Sequence, residues 1–543
     1  MTGQRGPAGF DADVVVVGGG PVGLLLGAEL GLGGVAVTVL EERAEVDPTI
    51  KAGAINLPSA ELLDRRGLWP EIERISRENR ARFEEFLRAM LAERGVSLEE
   101  FRKGPRRGPA GHFGGIMLDA GRINRQDPEL AGRDFDRSIV ALPQEDVECL
   151  LERHAVERGA ELRRGVRVES SEQDADGVTV SCADGTVLRA RWLVGCDGGR
   201  SGVRKRAGFA FPGTDPEITA YQAVLEMTGT EGLEPGWHAT ETGVYVFGPA
   251  PGRILTAQFT GTPVDRQAPI TEAELEASIR HVTGVEVNVH GIRSATRFTD
   301  NARQVPAYRL GRVLLAGDAA HVHSPFGGQG LNLGLGDAMN LGWKLAAVCR
   351  GEQGEELLDT YTAERHPIGA WVLEWTRAQI DIMRPEPHAR AMRAVTEALA
   401  ETVDGTTYFA KRISGIWQRY DLGGSHPLVG ASAPETAFAD GTRLADHLHQ
   451  GRALLIDPSK SYAPAAAGYE NRLTILTTPV AAPESGPGLL VRPDGYVAWA
   501  AAPDAPEDAE GLGQALRTWL GAPTLTPSGD GRVLSMNSAA DAW

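Results

Sequence analysis

Two groups of residues in this chain have types and spacing suited to holding an anionic, ring-bearing ligand. The first is Gly18-x-Gly20-x-x-Gly23, with Glu41 further on. Three glycines at that spacing allow a tight turn, a close backbone approach to a pyrophosphate, and close packing of a helix on a strand. Glu41 stands near the distance in sequence at which an acid grips ribose hydroxyls. The second group is "GDAAHVHSPFGGQGLNLGLGDAMNLGWKLA", from Gly317 to Ala346. Asp318 is suited to accept hydrogen bonds from sugar-like hydroxyls. Pro325 stiffens the loop, and Gly327 to Gly330 can lay bare backbone against a flat ring.

The surrounding elements must position these groups. Val14 to Val17 is a continuous β-branched run, as expected of a strand buried on both faces. Leu24 to Leu32 reads as a helix, and Val35 to Leu40 as a second buried strand. Together they form the βαβ unit of a dinucleotide site, with the pyrophosphate at the helix N-terminus, where unpaired N–H groups and a partial positive charge converge. Val313 to Ala316 reads as a further strand, and Asn332 to Ala346 as a helix facing the same place. A third stretch, "RWLVGCDGGRSGVRKRAGF", carries a strand at Trp192 to Val194, then Asp197-Gly198 and a basic run. By itself that run reads equally well as a solvated helix. No second GxGxxG fingerprint occurs, so a pair of Rossmann units for two nucleotides is not expected.

Composition excludes several classes. The 543 residues are too many for one core. Apolar content of 42% and charged content of 24% are those of an ordinary globular chain. A net charge of −18 argues against a nucleic-acid partner. No apolar run reaches the roughly 18 residues of a membrane span, and no leader pattern opens the chain, so a cytoplasmic enzyme is expected. The four cysteines form no CxxC, which argues against a zinc site or a disulfide framework. No metal is expected, and His321 and His323 read as loop-shaping residues.

The three glycine-bearing motifs, in this order and spacing, resemble those of the group A flavoprotein monooxygenases, the class of para-hydroxybenzoate and phenol hydroxylases. The likeness is greatest to bacterial aromatic polyketide hydroxylases of the angucycline type. "KAGAINLPSAELLDRRGL", "AGHFGGIMLD", "LPQEDVECLL" and "RFTDNARQVPAYRLGRVLLAGDAAHVHSPFGGQGLN" carry it, and "GLLVRPDGYVAWA" extends it into the tail. The resemblance implies FAD and NADPH as cofactors. Gly18, Gly20, Gly23 and Glu41 would hold the ADP half, Arg43 would reach the phosphates or ribose edge, Pro21, Val22, Glu42 and Val168 would also bind the cofactor, and Lys51 and Gln144 would lie near the flavin or its linker. Asp197 and Gly198 would belong to a motif shared by FAD and NADPH. Gly317 and Asp318 would bind the ribityl chain, while Leu331 and Asn332 continue the flavin wall. Pro325, Gly328, Gln329 and Gly330 would stand at the reacting ring. Arg303 would be structural or pocket-lining. Lys51 stands where many relatives carry arginine, which keeps the charge but loses the bidentate fork.

The expected fold class is α/β: a Rossmann-like FAD-binding domain, an antiparallel-sheet substrate domain and a C-terminal thioredoxin-like domain. The FAD domain would take residues 1–205 and 297–400, with a helical insertion at 76–109. In that insertion Phe83, Phe86, Leu87, Met90 and Leu91 fall on one helical face, to dock on the body or act as a lid. Residues 206–296 would form the substrate sheet, with Tyr221, Gln222, Tyr245, Phe247 and Gln258 as pocket candidates. A helical linker at 401–427 would lead to the thioredoxin-like unit at 428–543, which has no cysteine and so no dithiol chemistry. The implied activity is insertion of one oxygen atom from O₂ into a polycyclic aromatic polyketide through a flavin C4a-hydroperoxide, by a monomer or homodimer in antibiotic biosynthesis. Baeyer–Villiger or ring-cleaving oxidation of the same substrates is an alternative. A flavin-holding dehydrogenase or non-oxygenating partner is another. The Trp-x-Trp-x-Ile-Pro segment of flavin halogenases is absent.

Overall fold

The computed structural model describes residues 9–93, 97, 109–130, 133–134, 137–248, 250–262, 268–481, 488–501 and 508–524. The chain begins with strand β1 (Ala12–Val17), helix α1 (Pro21–Leu32) and strand β2 (Val37–Glu41). β1 and β2 pair in parallel, and β2 pairs in parallel with a strand over Glu161–Arg164. On its other side β1 pairs with the strand over Val187–Gly195, which pairs with the strand over Val313–Leu315, both in parallel. This five-stranded parallel sheet explains the unbroken apolar runs in the sequence, since each central strand is covered on both faces. α1 is apolar all round but for Glu29, and Leu24, Leu25 and Leu26 are all fully buried. It packs against helices over Gln144–Glu157 and Gly330–Cys349.

The second sheet is antiparallel and five-stranded. Its order is Gly236–Ala239, Gly243–Phe247, Arg253–Gln258, Thr219–Thr228, Asn288–Phe298. One face packs on the helix over Glu272–Thr283, which is capped by Thr271 and ends at left-handed Gly284. The other face turns toward the parallel sheet.

Beyond the long helices at Asp359–Met383, Pro387–Ala400 and Val403–Ser414, a four-stranded mixed sheet closes the chain. Its order is Leu473–Leu476, Ala453–Ile456, Leu489–Val491, Val497–Ala500, with a final helix over Ala509–Leu520. This unit is tied to the body through buried charges. Arg492 donates to both carboxylate oxygens of Glu364, at 3.0 and 2.7 Å, and Lys344 Nζ lies 2.9 Å from Glu364. Arg66, itself paired with Glu29, donates to the carbonyls of Leu448 and Pro493.

The expected insertion is part of one longer helix, Trp69–Glu93, on which Phe83 is exposed and Leu87 is half-buried. The side chains of Phe86, Met90 and Leu91 lie outside the described residues. Among the described residues no helix is long and apolar enough to cross a membrane.

Candidate active site

Strand register brings the three motifs together. Val17, Gly195 and Leu315 stand side by side as the last residues of three adjacent parallel strands. The segments that follow them, Gly18 to Gly23, Cys196 to Gly198 and Gly317 to Asp318, therefore emerge at one edge, where open α/β sheets bind their ligands. Gly18 has φ +109°, and a Cβ there would lie 2.3 Å from the Cys196 carbonyl oxygen. A Cβ on Gly23 would lie 1.9 Å from the Gly18 oxygen, so turn and helix can meet this closely only with glycine at both positions. Gly20 differs, since its backbone is ordinary and its Cβ position faces open space. It caps α1 with no side-chain partner, Pro21 follows, and Val22 packs against Gly317.

Glu41 accepts from the Gly19 N–H at 2.6 Å and the Arg43 N–H at 2.9 Å, which fixes its carboxylate beside the turn. Glu42 is exposed. Arg43 and Lys51 both pair with Asp47. Burial opposes ionisation of Asp47, but hydrogen bonds from Lys51 and Thr49 outweigh it and hold the carboxyl well below its usual range. Gln144 opens its helix and donates its backbone N–H to Ala52, next to Lys51. Val168 packs partly buried on the main core, two residues beyond Val166, whose N–H bonds to Glu41.

The third motif is held from behind. Asp337, fully buried, accepts from the Gly317 N–H at 3.0 Å, sits 2.6 Å from His321 Nε2 and pairs with Arg365 at 2.8 Å. Its burial is outweighed by these two partners, which keep it ionised. Asp318 is exposed between buried Gly317 and Ala319 and makes no hydrogen bond among the described residues. Gly328 has φ +63° with open space at its Cβ position. Asn332 donates to the Gly328 carbonyl at 2.9 Å and accepts from the Asn56 N–H, which locks the turn to the start of its helix. Nearby, His323 Nε2 is buried without a partner, 3.6 Å from the Cβ position of Gly330. Pro325 is exposed, while Gly330 and Leu331 are partly so. Two helix starts with open space before them, an acid beside one and an exposed acid beside the other, fit an anionic dinucleotide ending in a flat ring.

Three expectations change in detail. Gln329 is buried, and its amide donates to the Gly327 and Ile413 carbonyls, so it braces the loop rather than facing a ligand. Asp197 accepts from Ser201 and the Val203 N–H, capping its own short helix, with left-handed Gly198 open beside it. Arg303 is structural, bonding the Phe211 carbonyl and Asp215.

The substrate sheet corrects four of five candidates. Tyr221, Tyr245 and Thr256 stand opposite one another on the face under the Glu272–Thr283 helix. There the Tyr221 hydroxyl donates to Glu274 and Thr256 meets Ser278 at 2.8 Å. Phe247 and Gln258 share that face by strand parity. Only Gln222 turns toward the cofactor edge, since side chains alternate with a period of two. With it stand Ala220, Val224, Trp237, Val244, Val246, Leu255, Thr296 and Phe298, and Ala220, Val244 and Phe298 join one apolar cluster with Phe326, Ile380 and Met383.

Several site residues were missed from sequence. The hairpin formed by Pro109–Phe113 and Ile116–Asp119 brings the His112 ring to 4.5 Å from that of Trp237, which lies 5.8 Å from Phe326. Burial pushes His112 down to about 4, so the ring is neutral. Gln379 accepts from the Gly114 N–H and donates to the Phe326 carbonyl, joining hairpin to loop. Arg204, in the run read as equally a solvated helix, is 4% exposed and donates to the Ala319 and Gly199 carbonyls. The one sequence signal for Asp337 was an acid set inside an otherwise apolar helix.

A family model described as an FAD binding domain matches residues 11–376, and one described as an aromatic-ring hydroxylase C-terminal domain matches 426–523. The rifampicin monooxygenase of Streptomyces venezuelae is 39% identical, covering 94% of this chain and 99% of the relative. The solved anhydrotetracycline hydroxylase OxyS from Streptomyces rimosus is 38% identical, with a TM-score of 0.79 over 94% of this chain and 100% of that one. CabE, an aromatic hydroxylase from angucycline biosynthesis, is 36% identical, with a TM-score of 0.77 over 94% and 99%. The chain therefore belongs to the FAD-dependent aromatic-ring hydroxylases, and it is a flavin-dependent monooxygenase.

Proposed function

We propose that this enzyme uses NADPH and O₂ to insert one oxygen atom into an electron-rich ring of a polycyclic aromatic polyketide. The observation that carries the reading is the row Val17, Gly195, Leu315, whose three following segments emerge at one edge, with Phe326 of the third motif's loop joined to the antiparallel sheet in one apolar cluster. The names of the relatives, which concern rifampicin, anhydrotetracycline and angucycline chemistry, support a multi-ring substrate.

In this reading Gly20 and the start of α1 bind the pyrophosphate, Glu41 the ribose, and Asp318 the ribityl chain. When bound, the flavin supplies hydride acceptance from NADPH and oxygen transfer from O₂. The N–H groups at the start of the Gly330–Cys349 helix stabilise negative charge at the ring, by about 0.3–2 kcal/mol. Phe326, Trp237 and Ile380 keep water from the reacting centre. The fold reading is a Rossmann-type cofactor domain, interrupted by the sheet domain. The strand order of the last sheet supports a thioredoxin-like tail without dithiol chemistry.

The test is NADPH oxidation and O₂ uptake by the FAD-loaded enzyme, with and without a hydroxylated anthraquinone, using ¹⁸O₂. Stimulation by the quinone and one ¹⁸O in the product are expected. Bound FAD that NADPH fails to reduce in the presence of the quinone overturns the reading. A ring-opened or lactone product carrying the label redirects it to Baeyer–Villiger insertion.

A further inference from the structure

Arg253 pairs with Val224 in the antiparallel sheet, so its side chain leaves the sheet on the same face as Val224, Gln222 and Leu255. This is the face that turns toward the cofactor domain. Ser294, opposite Val224, accepts the Ile50 N–H at 3.0 Å, next to Lys51. Arg253 is half-buried there, and its side chain makes no hydrogen bond or ion pair among the described residues. Burial disfavours its charge, with no carboxylate among the described residues offsetting it.

Several other cations of these elements are committed. Lys51 and Arg43 share Asp47, Arg393 donates to the Gly114 carbonyl, and Arg204 is taken up by two carbonyls. Arg297, on the opposite face of the same sheet, is held by both oxygens of Glu274. His112, beside Trp237, is neutral. A guanidinium stays charged at any accessible pH. A ligand that closed over Arg253 without bringing an anion would complete its desolvation unpaired, which is strongly unfavourable.

We propose that Arg253 is the specificity-determining residue of the substrate cleft, pairing with an ionised oxygen of the aromatic substrate, either a ring phenolate or enolate or an appended carboxylate. This rests on the reading that the sheet face receives the aromatic substrate. The planar fork suits either oxygen source.

The experiment is calorimetric binding of three probes to the FAD-loaded enzyme: alizarin, its dimethyl ether and anthraquinone-2-carboxylate. They are compared in the wild type, Arg253→Gln and Arg253→Lys, with flavin content confirming that each variant is intact. Arg253→Gln should weaken at least one acidic probe by about 10- to 100-fold. Arg253→Lys should fall between, and the dimethyl ether should bind all three proteins alike. Whichever acidic probe responds identifies the oxygen source. The proposal is overturned if both acidic probes keep their affinity in Arg253→Gln, if the dimethyl ether loses as much as alizarin, or if no probe binds the wild type. It is also overturned if the NADPH concentration needed for flavin reduction rises while alizarin binding is unchanged, since the anion would then be the nucleotide's phosphate. O₂ uptake decides the oxygenase reading independently. A binding contrast without oxygenation leaves Arg253 in place and removes that reading.

Discussion

The two walls that the proposed function sets facing one another, the strand-end edge and the antiparallel sheet, are built on opposite plans. On the strand-end wall the polar groups behind the motifs are tied down, while Asp318 is left open: Asp337 holds three partners, Asn332 two, and Arg204 two carbonyls. On the sheet wall Gln222, Val224 and Leu255 are half-buried, and the Arg253 side chain has no partner among the described residues. A wall that serves an invariant cofactor can be fixed once by the fold, because its geometry never has to change. A wall that receives a substrate leaves its polar groups for that substrate to complete.

The contrast can be broken at its strongest point first. Asp337→Ala leaves Arg365 buried and uncompensated, and should cost about 3–5 kcal/mol of stability. Denaturant unfolding of the flavin-free protein measures this, and an unchanged midpoint would dissolve the idea of a braced wall. Gly20→Val should fold normally, because its backbone is ordinary and the space beside it is open, yet purify without flavin. Full flavin content per chain would show that this space is not the cofactor's. Asp318→Ala should weaken FAD retention by about 10- to 100-fold, read from flavin release on dilution.

Substitutions on the two faces of the substrate sheet sharpen the comparison. Tyr221→Phe should lose about 1 kcal/mol of stability with the substrate KM unchanged, whereas Gln222→Ala should raise KM about fivefold with stability unchanged. Reversed results would mean the faces are misassigned. A further effect is on pH dependence. His112 titrates near 4 in the folded protein against 6.5 when exposed, so between these values the unfolded chain binds the extra proton. Stability should therefore rise with pH across that window and fall on acidification, and His112→Gln should flatten part of that slope.

Much of the strand-end wall was legible because it is written in contiguous motifs. The strand expected at Val14 to Val17 extends over Ala12–Val17, and the helix expected at Asn332 to Ala346 runs Gly330–Cys349. Glycines report backbone constraint locally, so Gly18 and Gly23 could be read without knowing what lies across from them. The sheet wall was not legible in the same way. Alternation in "ITAYQAVLEM" gives the period but not which parity faces the cofactor, and choosing the aromatic parity selected the face under the helix. Tyr221 is there for its hydroxyl contact with Glu274, a partner 53 positions away. Asp337, Arg204 and Gln379 were missed for the same reason, as their roles lie in long-range pairings.

The buried cluster of Arg492, Glu364 and Lys344 has an evolutionary consequence. A terminal unit joined only by a flexible tether can be lost, swapped or fused by recombination without harm to its host. Here the helix that starts at the groove carries Lys344, and that lysine's neutralising glutamate is shared with an arginine near the end of the chain. A truncation before Arg492 would strip Glu364 of two buried charge-assisted hydrogen bonds and leave it only Lys344 and Asn340, in an interior newly opened to water. The tail should therefore be inherited with the body as one heritable unit, and a hybrid whose foreign tail lacks an arginine at the matching place should be less stable.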